Sequence, residues 1–204
     1  MRMPRAWKEG LLLTALSLYT AFSAGPFIWV GMMSLRTTSE ISANPYGLPE
    51  HVRWDKFVTA WTTSNYGIYF WNSTAVVVTA VAALTIIGSM AAHCLARCRF
   101  RGNRVIYFVI FSAIIFPPQV TIISLFQVLV EYGLYNSRTG LTLVYVAVQL
   151  PLTMYILEGF FAHIPQDLFE AAKIDGCSDF NIFWRLTLPV GLPAIATTVI
   201  LNFI

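Results

Sequence analysis

Residues 169–193 read FEAAKIDGCSDFNIFWRLTLPVGLP. This polar, amphipathic stretch is set between two long apolar runs. It orders Glu170-Ala171-Ala172, three residues, Gly176, nine residues, and then Leu186-Thr187-Leu188-Pro189. Residues 166–174 can form about two turns of helix. Pro165 suits the first turn, where no N–H donor is needed. Asp167 and Glu170 lie near the positive end of the helix dipole. Ala171 and Ala172 leave a small face that can sit close to another surface. Gly176 permits a chain reversal that a residue with a Cβ resists. Residues 180–188 can form a second helix, with Pro189 and Pro193 at the entry to the next apolar run. A helix, a glycine bend and a second helix make a rigid knob, and a rigid knob transmits displacement where a floppy loop cannot. An interfacial amphipathic helix would account for the polarity and the aromatics. It would not account for the joint spacing of Glu-Ala-Ala, Asp-Gly and Leu-Pro.

Outward from this stretch the chain is a membrane protein by composition. Of its residues 57% are hydrophobic and 11% charged, against about 25% charged in soluble domains. Mean hydropathy is +0.66. Approximate spans are read at 11–35, 70–96, 105–130, 139–161 and 186–204, around a loop at 163–189. Each of the first four is close to the roughly 20 residues a helix needs to cross the hydrocarbon core. The first run is too long for a signal peptide's apolar region and no small-residue cleavage site follows, so it reads as a retained anchor. The last run is still apolar at Ile204, without a polar flank, so the chain reads as incomplete at that end. The expected fold class is an all-α, polytopic membrane bundle in a single domain.

Charge orients the spans. With the N-terminus in the cytoplasm, the inner segments carry Arg2, Arg5, Lys8, Arg97, Arg99, Arg101, Arg104, Lys173 and Arg185. The outer ones carry Arg36, Arg53, Lys56 and Arg138, offset by Glu40, Glu50, Asp55 and Glu131. The bias satisfies the positive-inside rule. The basic cluster at 97–104 sits directly between two spans, so topogenesis explains it without a nucleic acid. The outer segment 36–69 favours turns and a short surface helix. Its Trp54, Trp61, Tyr66 and Tyr69, with Trp71, suit an interfacial belt.

Within the spans, Gly88, Ser89, Ala91 and Ala92 allow close helix approach. Pro117-Pro118 removes two backbone donors and breaks or kinks the third span, and Gln119 follows directly. Gln149 precedes Pro151 in the fourth. Such breaks face protein or a water-filled cavity. Pro117, Pro118, Gln119 and Gln149 are therefore the candidate translocation-path residues, although interhelical hydrogen bonding is the commoner use of intramembrane glutamine. Glu158 lies near the inner interface and reads as solvated or arginine-paired. Asn72-Ser73-Thr74 reads as a cap for the second span rather than a glycosylation site. Cys94, Cys98 and Cys177 are odd in number and placed on the reducing side, against a disulfide framework. Only His93 is near Cys94 and Cys98, too few ligands for a metal site.

The order Glu-Ala-Ala, Gly and Leu-Pro resembles the EAA motif of bacterial ABC-type importer permeases. The stretch from Ile164 onward, Asn72-Ser73 in the second span, LARCRFRGNR at its close and FPPQV in the third resemble the maltose-type, carbohydrate-uptake branch. Leu186 stands where that branch commonly has Ile, and His93 and Cys94 where it has Tyr and Ala. The resemblance implies a type I importer permease in the cell inner membrane, with about five spans present and a sixth missing. It implies a second permease subunit, two copies of a cytoplasmic ATP-binding subunit, an extracytoplasmic solute-binding protein and surrounding membrane lipid as partners. It places ATP and Mg in the partner ATPase, with no cofactor on this chain. By the same resemblance Glu170, Ala171, Ala172, Asp175 and Gly176 are the ATPase-coupling residues, and the solute is a sugar, polyol or sugar phosphate.

Other classes remain open. A truncated, non-transporting permease fragment fits the apolar end. A membrane enzyme would need a nucleophile or metal cluster, whereas His51, His93 and His163 are scattered and neither HExxH nor GxSxG occurs. A Walker loop is absent too, so ATP hydrolysis belongs elsewhere. A secondary transporter would show more spans, an inverted repeat and buried acids.

Overall fold

The computed structural model describes residues 5–98 and 100–204. Arg2 and Arg99 of the charge count lie outside the described residues. Every element among the described residues is a helix or turn. Three helices are long and apolar enough to cross a membrane, Lys8–Ser34, Tyr66–Arg97 and Arg138–Ala162, and the count is five if each of two bent helix pairs is one span. The chain divides into two compact units, residues 1–69 and 70–204.

In the first unit, α1 (Arg5–Ser34) is followed by α2 (Thr38–Ala43) and α3 (Asp55–Thr63). Residues 36–69 thus hold two short helices where one was expected. Thr37 and Glu40 close a capping box on α2. Arg36 is 2% exposed. Its guanidinium donates to Glu40 O at 2.8 Å and Asn44 O at 2.7 Å. The Arg36 guanidinium is thus met by backbone carbonyls, which a planar fork serves well. Arg53 and Asp55 do pair, at 2.7 Å, and the Arg53 guanidinium holds the Asp55 carboxyl below its ordinary value.

α4 (Tyr66–Arg97) starts earlier than the expected second span. Asn65 adopts a left-handed φ of 52°, which turns the chain and starts the helix there. Asn72 and Ser73 consequently lie inside the helix and do not cap it. α5 (Asn103–Ser112) runs into a 3-10 turn at Ala113–Ile115, and α6 (Pro118–Glu131) follows after a bend of 106°. The expected third span is thus two helices. The physical reason is local: Phe116 and Pro117 are extended, with ψ of 120° and 132°, because a residue before proline is driven out of the helical region. Pro118 then opens α6, where its missing donor costs nothing.

α7 (Arg138–Ala162) is capped by Ser137, which accepts from Gly140 N at 3.0 Å. Its Pro151 leaves the Ala147 carbonyl without its helical donor. α4 and α7 pack through their small residues. A Cβ on Gly88 would stand 2.9 Å from Thr153 Cγ2, and Leu84, Gly88, Ser89 and Ala92 are buried along one face of α4. α11 (Leu192–Phe203) joins α7 through Asn202 Nδ2, which donates to Thr153 Oγ1 at 2.9 Å. The expected run at 186–204 is bent by 76° at Gly191. Gly191 allows this because Phe161 Cε1 stands 2.4 Å from where a Cβ would be.

Candidate functional site: the α8–α9 element

α8 (Gln166–Ile174) occupies the expected helix, and α9 (Asp179–Ile182) leads into a π turn at Phe183–Thr187, a short helix α10 (Leu188–Val190), and the bend. Pro165 sits one place earlier than expected, in the cap position with ψ of 133°. Asp175 and Gly176 end α8 in a Schellman arrangement. The Cys177 N–H donates to Ala172 O at 3.0 Å and the Gly176 N–H to Lys173 O at 3.0 Å. Gly176 takes φ of 78°, a left-handed conformation that favours glycine. Ser178 Oγ then accepts from Asn181 N at 3.3 Å and starts α9. Lys173 Nζ and Asp179 Oδ1 approach to 3.5 Å across the bend, both largely exposed.

The expected continuous helix at 180–188 is replaced by α9 and the π turn, in which the Leu188 N–H reaches back to Phe183 O. Pro189 supplies the reason. It offers no donor to Arg185 O, and its ring would clash with that carbonyl in a regular α turn, so the backbone widens there.

The element has an inner and an outer face. Phe169 and Ile182 are 5% and 2% exposed and join Ala92, Leu157, Phe161, Ile164, Ala194 and Ile195 in one cluster, with Ala172 and Cys177 packed beside them. Glu170, Ala171, Asp175 and Gly176 are exposed. Ile174, not singled out from the sequence, is 86% exposed at the tip. The five candidate coupling residues are thus brought together on one short element, with Ala172 turned partly inward.

What holds that element in place was not legible as function. Arg97, counted only as a topogenic charge, donates from Nε to Phe161 O at 3.0 Å and from Nη1 to Gln166 Oε1 at 3.1 Å. Its Nη2 reaches Phe161 O and Ile164 O. Its guanidinium lies 4.3 Å from the Phe169 ring centroid. His93, set aside as an odd residue at its position, places Nδ1 3.1 Å from Thr187 Oγ1 in a buried contact. Its ring stands against Phe169 and Phe183. The basic turn beyond α4 is closed by Asn103 Nδ2, which donates to Leu95 O and Cys98 O at 3.1 and 3.0 Å. Burial there pushes the Cys98 thiol above its ordinary value, with Cys94 adding to the effect.

The translocation-path candidates lie elsewhere. Gln149 lines a cleft of about 370 Å³ with Phe116, Thr121 and Pro151, beside the break between α5 and α6. Pro117 and Gln119 are exposed and do not line it. Pro118 begins α6.

The family model described as "Binding-protein-dependent transport system inner membrane component" matches residues 84–204. The diacetylchitobiose uptake system permease protein NgcG of Streptomyces coelicolor is 42% identical over 189 residues, covering 93% of this chain and 63% of that protein. The probable ABC transporter permease protein YurM of Bacillus subtilis is 32% identical over 189 residues, covering 92% of this chain and 62% of that one. This chain therefore spans less than two thirds of the length of either relative. A crystal structure of a bacterial ABC transporter involved in the import of the acidic polysaccharide alginate aligns with a TM-score of 0.81 over 99% of this chain and 72% of that chain, at 23% identity, and so shares its fold. With the helical membrane bundle and the Glu-Ala-Ala element both in place, the chain belongs to the family of binding-protein-dependent transport system inner membrane components, the ABC importer permeases.

Proposed function

We propose that this chain is the membrane-spanning permease subunit of an ATP-driven carbohydrate importer, and that α8–α9 is its contact with the ATPase. One observation carries the coupling assignment. The α8–α9 element buries Phe169 and Ile182 but leaves Glu170, Ala171, Ile174 and Asp175 exposed together. A large apolar side chain at the tip of a short, anchored helix, flanked by carboxylates, has the character of a docking surface. Members of this family are transport subunits rather than catalysts, so hydrolysis of ATP falls to a separate cytoplasmic subunit, present in two copies. A second permease completes the path, and a solute-binding protein delivers solute at the outer face. The element faces the cytoplasm in this reading, as does the N-terminus. The carbohydrate class is supported by the relatives' names, which include diacetylchitobiose, trehalose and melibiose/raffinose/stachyose systems.

Co-purification from native membranes tests the reading. The unaltered chain is expected to retain an ATPase subunit, and a Glu170→Lys, Gly176→Pro variant to lose it. Equal retention by both would sink the coupling assignment. An unaltered chain that retained none would sink the importer reading.

A further inference from the structure

His93 and Arg97 are four residues apart on α4 and share one helix face. Between them they reach α8 and the π turn that follows α9. Arg97 holds the carbonyls of Phe161 and Ile164 and the side chain of Gln166, and it stacks on Phe169. His93 holds Thr187 of the π turn and abuts Phe169 and Phe183. Phe169 is the buried residue of α8, so α8 and the π turn both touch this one face. No ion pair to a carboxylate is formed by Arg97 among the described residues. Its charge is met by carbonyls at the C-terminal end of α7, where a helix leaves acceptors free and carries partial negative charge. A cleft of about 340 Å³ lined by His93, Arg97, Gln166, Lys173 and Asp179 runs along the contact. The polar part of the attachment is therefore confined to a few side chains, set beside the apolar cluster that holds Phe169 and Ile182.

Beyond the joint, α4 continues as one helix of 32 residues to Tyr66 without an internal proline. Gly88 seats Thr153 of α7 against it. The joint is therefore continuous with the far end of α4 and, through Gly88 and Thr153, with α7.

We infer that Arg97 is a positioning residue that fixes α8 to α4, and that the His93–Arg97 face is the joint through which movement of the α8–α9 element reaches the membrane helices. The inference rests on the coupling role proposed above. Lysine cannot replace Arg97 fully, because an ammonium lacks the planar fork that serves several acceptors while stacking on a ring.

The test uses the assembled transporter with Cys94, Cys98 and Cys177 changed to alanine and Ser73→Cys as a reporter at the far end of α4. Arg97→Ala and Arg97→Lys are compared with Arg104→Ala, an exposed arginine of the same basic stretch. Two quantities are measured: the ATPase subunit retained on purification, and the reporter's rate of reaction with a membrane-impermeant maleimide, with and without Mg-ATP and vanadate. The parent and Arg104→Ala are expected to retain the ATPase and to show a nucleotide-dependent change in rate. In Arg97→Ala that ratio is expected to shrink by about five-fold or more, with Arg97→Lys intermediate. A merely structural role would lower the amount of folded chain and leave the ratio intact. An unchanged ratio in Arg97→Ala with the ATPase bound overturns the inference. If Arg97→Ala does not accumulate, an unchanged ratio in Arg97→Lys overturns it. A parent that binds no ATPase overturns the coupling role itself, and this inference with it.

Discussion

Gly176 shows how much a single residue fixes here. Its φ of 78° lets Cys177 and Gly176 close the last turn of α8, and an L side chain in that conformation costs about 1–2 kcal/mol. Gly176→Ala is expected to lower the protein's thermal midpoint and to speed amide exchange at Gly176 and Cys177, measured by hydrogen exchange in detergent. Thr187 is buried with its hydroxyl against His93 Nδ1. Thr187→Val keeps the shape and leaves the imidazole nitrogen without its partner, at a cost of about 1–3 kcal/mol. Thr187→Ser keeps the hydroxyl and is expected to recover most of that loss in the same thermal unfolding assay. The glycine was legible from sequence because its constraint is local. The threonine was not, since its partner lies 94 residues away.

At the scale of elements, α8 is too short to be stable alone. Its nine residues offer one buried side chain to the bundle. Phe169→Ala removes that anchor, a change of about 3–5 kcal/mol at a core phenylalanine. Exchange protection of the α8 amides is expected to collapse while α4 and α7 keep theirs. Ile174→Ala, on the opposite face, is expected to change stability by less than about 0.5 kcal/mol and still weaken ATPase retention. Loss of stability without loss of retention would reverse the faces proposed here. The helix 166–174 was readable because its proline, acids and glycine all act within a turn or two. The π turn was not, because apolar periodicity does not register a single widened turn; the prolines at 189 and 193 were its only local trace.

For the whole molecule, the proposed orientation places the outer segment and α8 on opposite sides of the membrane. Tyr46→Cys is expected to react with an impermeant thiol reagent added outside intact cells, and Ile174→Cys only once the membrane is opened. The reverse pattern would invert the topology. Both positions are exposed, with Tyr46 at 85% and Ile174 at 86%, so access to the reagent and not burial decides the result.

Composition and local order, read from the sequence by itself, determined the membrane class, the long apolar helices, the amphipathic insert with its helix at 166–174 and the place of the break at Pro117-Pro118. Hydropathy and backbone preference act over a few neighbours, and a linear reading captures them. The tertiary structure alone decided what bears on that insert. Arg97 finds Phe161 O across 64 residues and His93 finds Thr187 across 94. These contacts exist because α4 and α7 close on each other at Gly88 and Thr153, which brings the end of α7 and the base of α8 to one face of α4. The angles of the bends at Pro117 and Gly191 were likewise settled in three dimensions, where proline sets the place of a break and packing sets its direction.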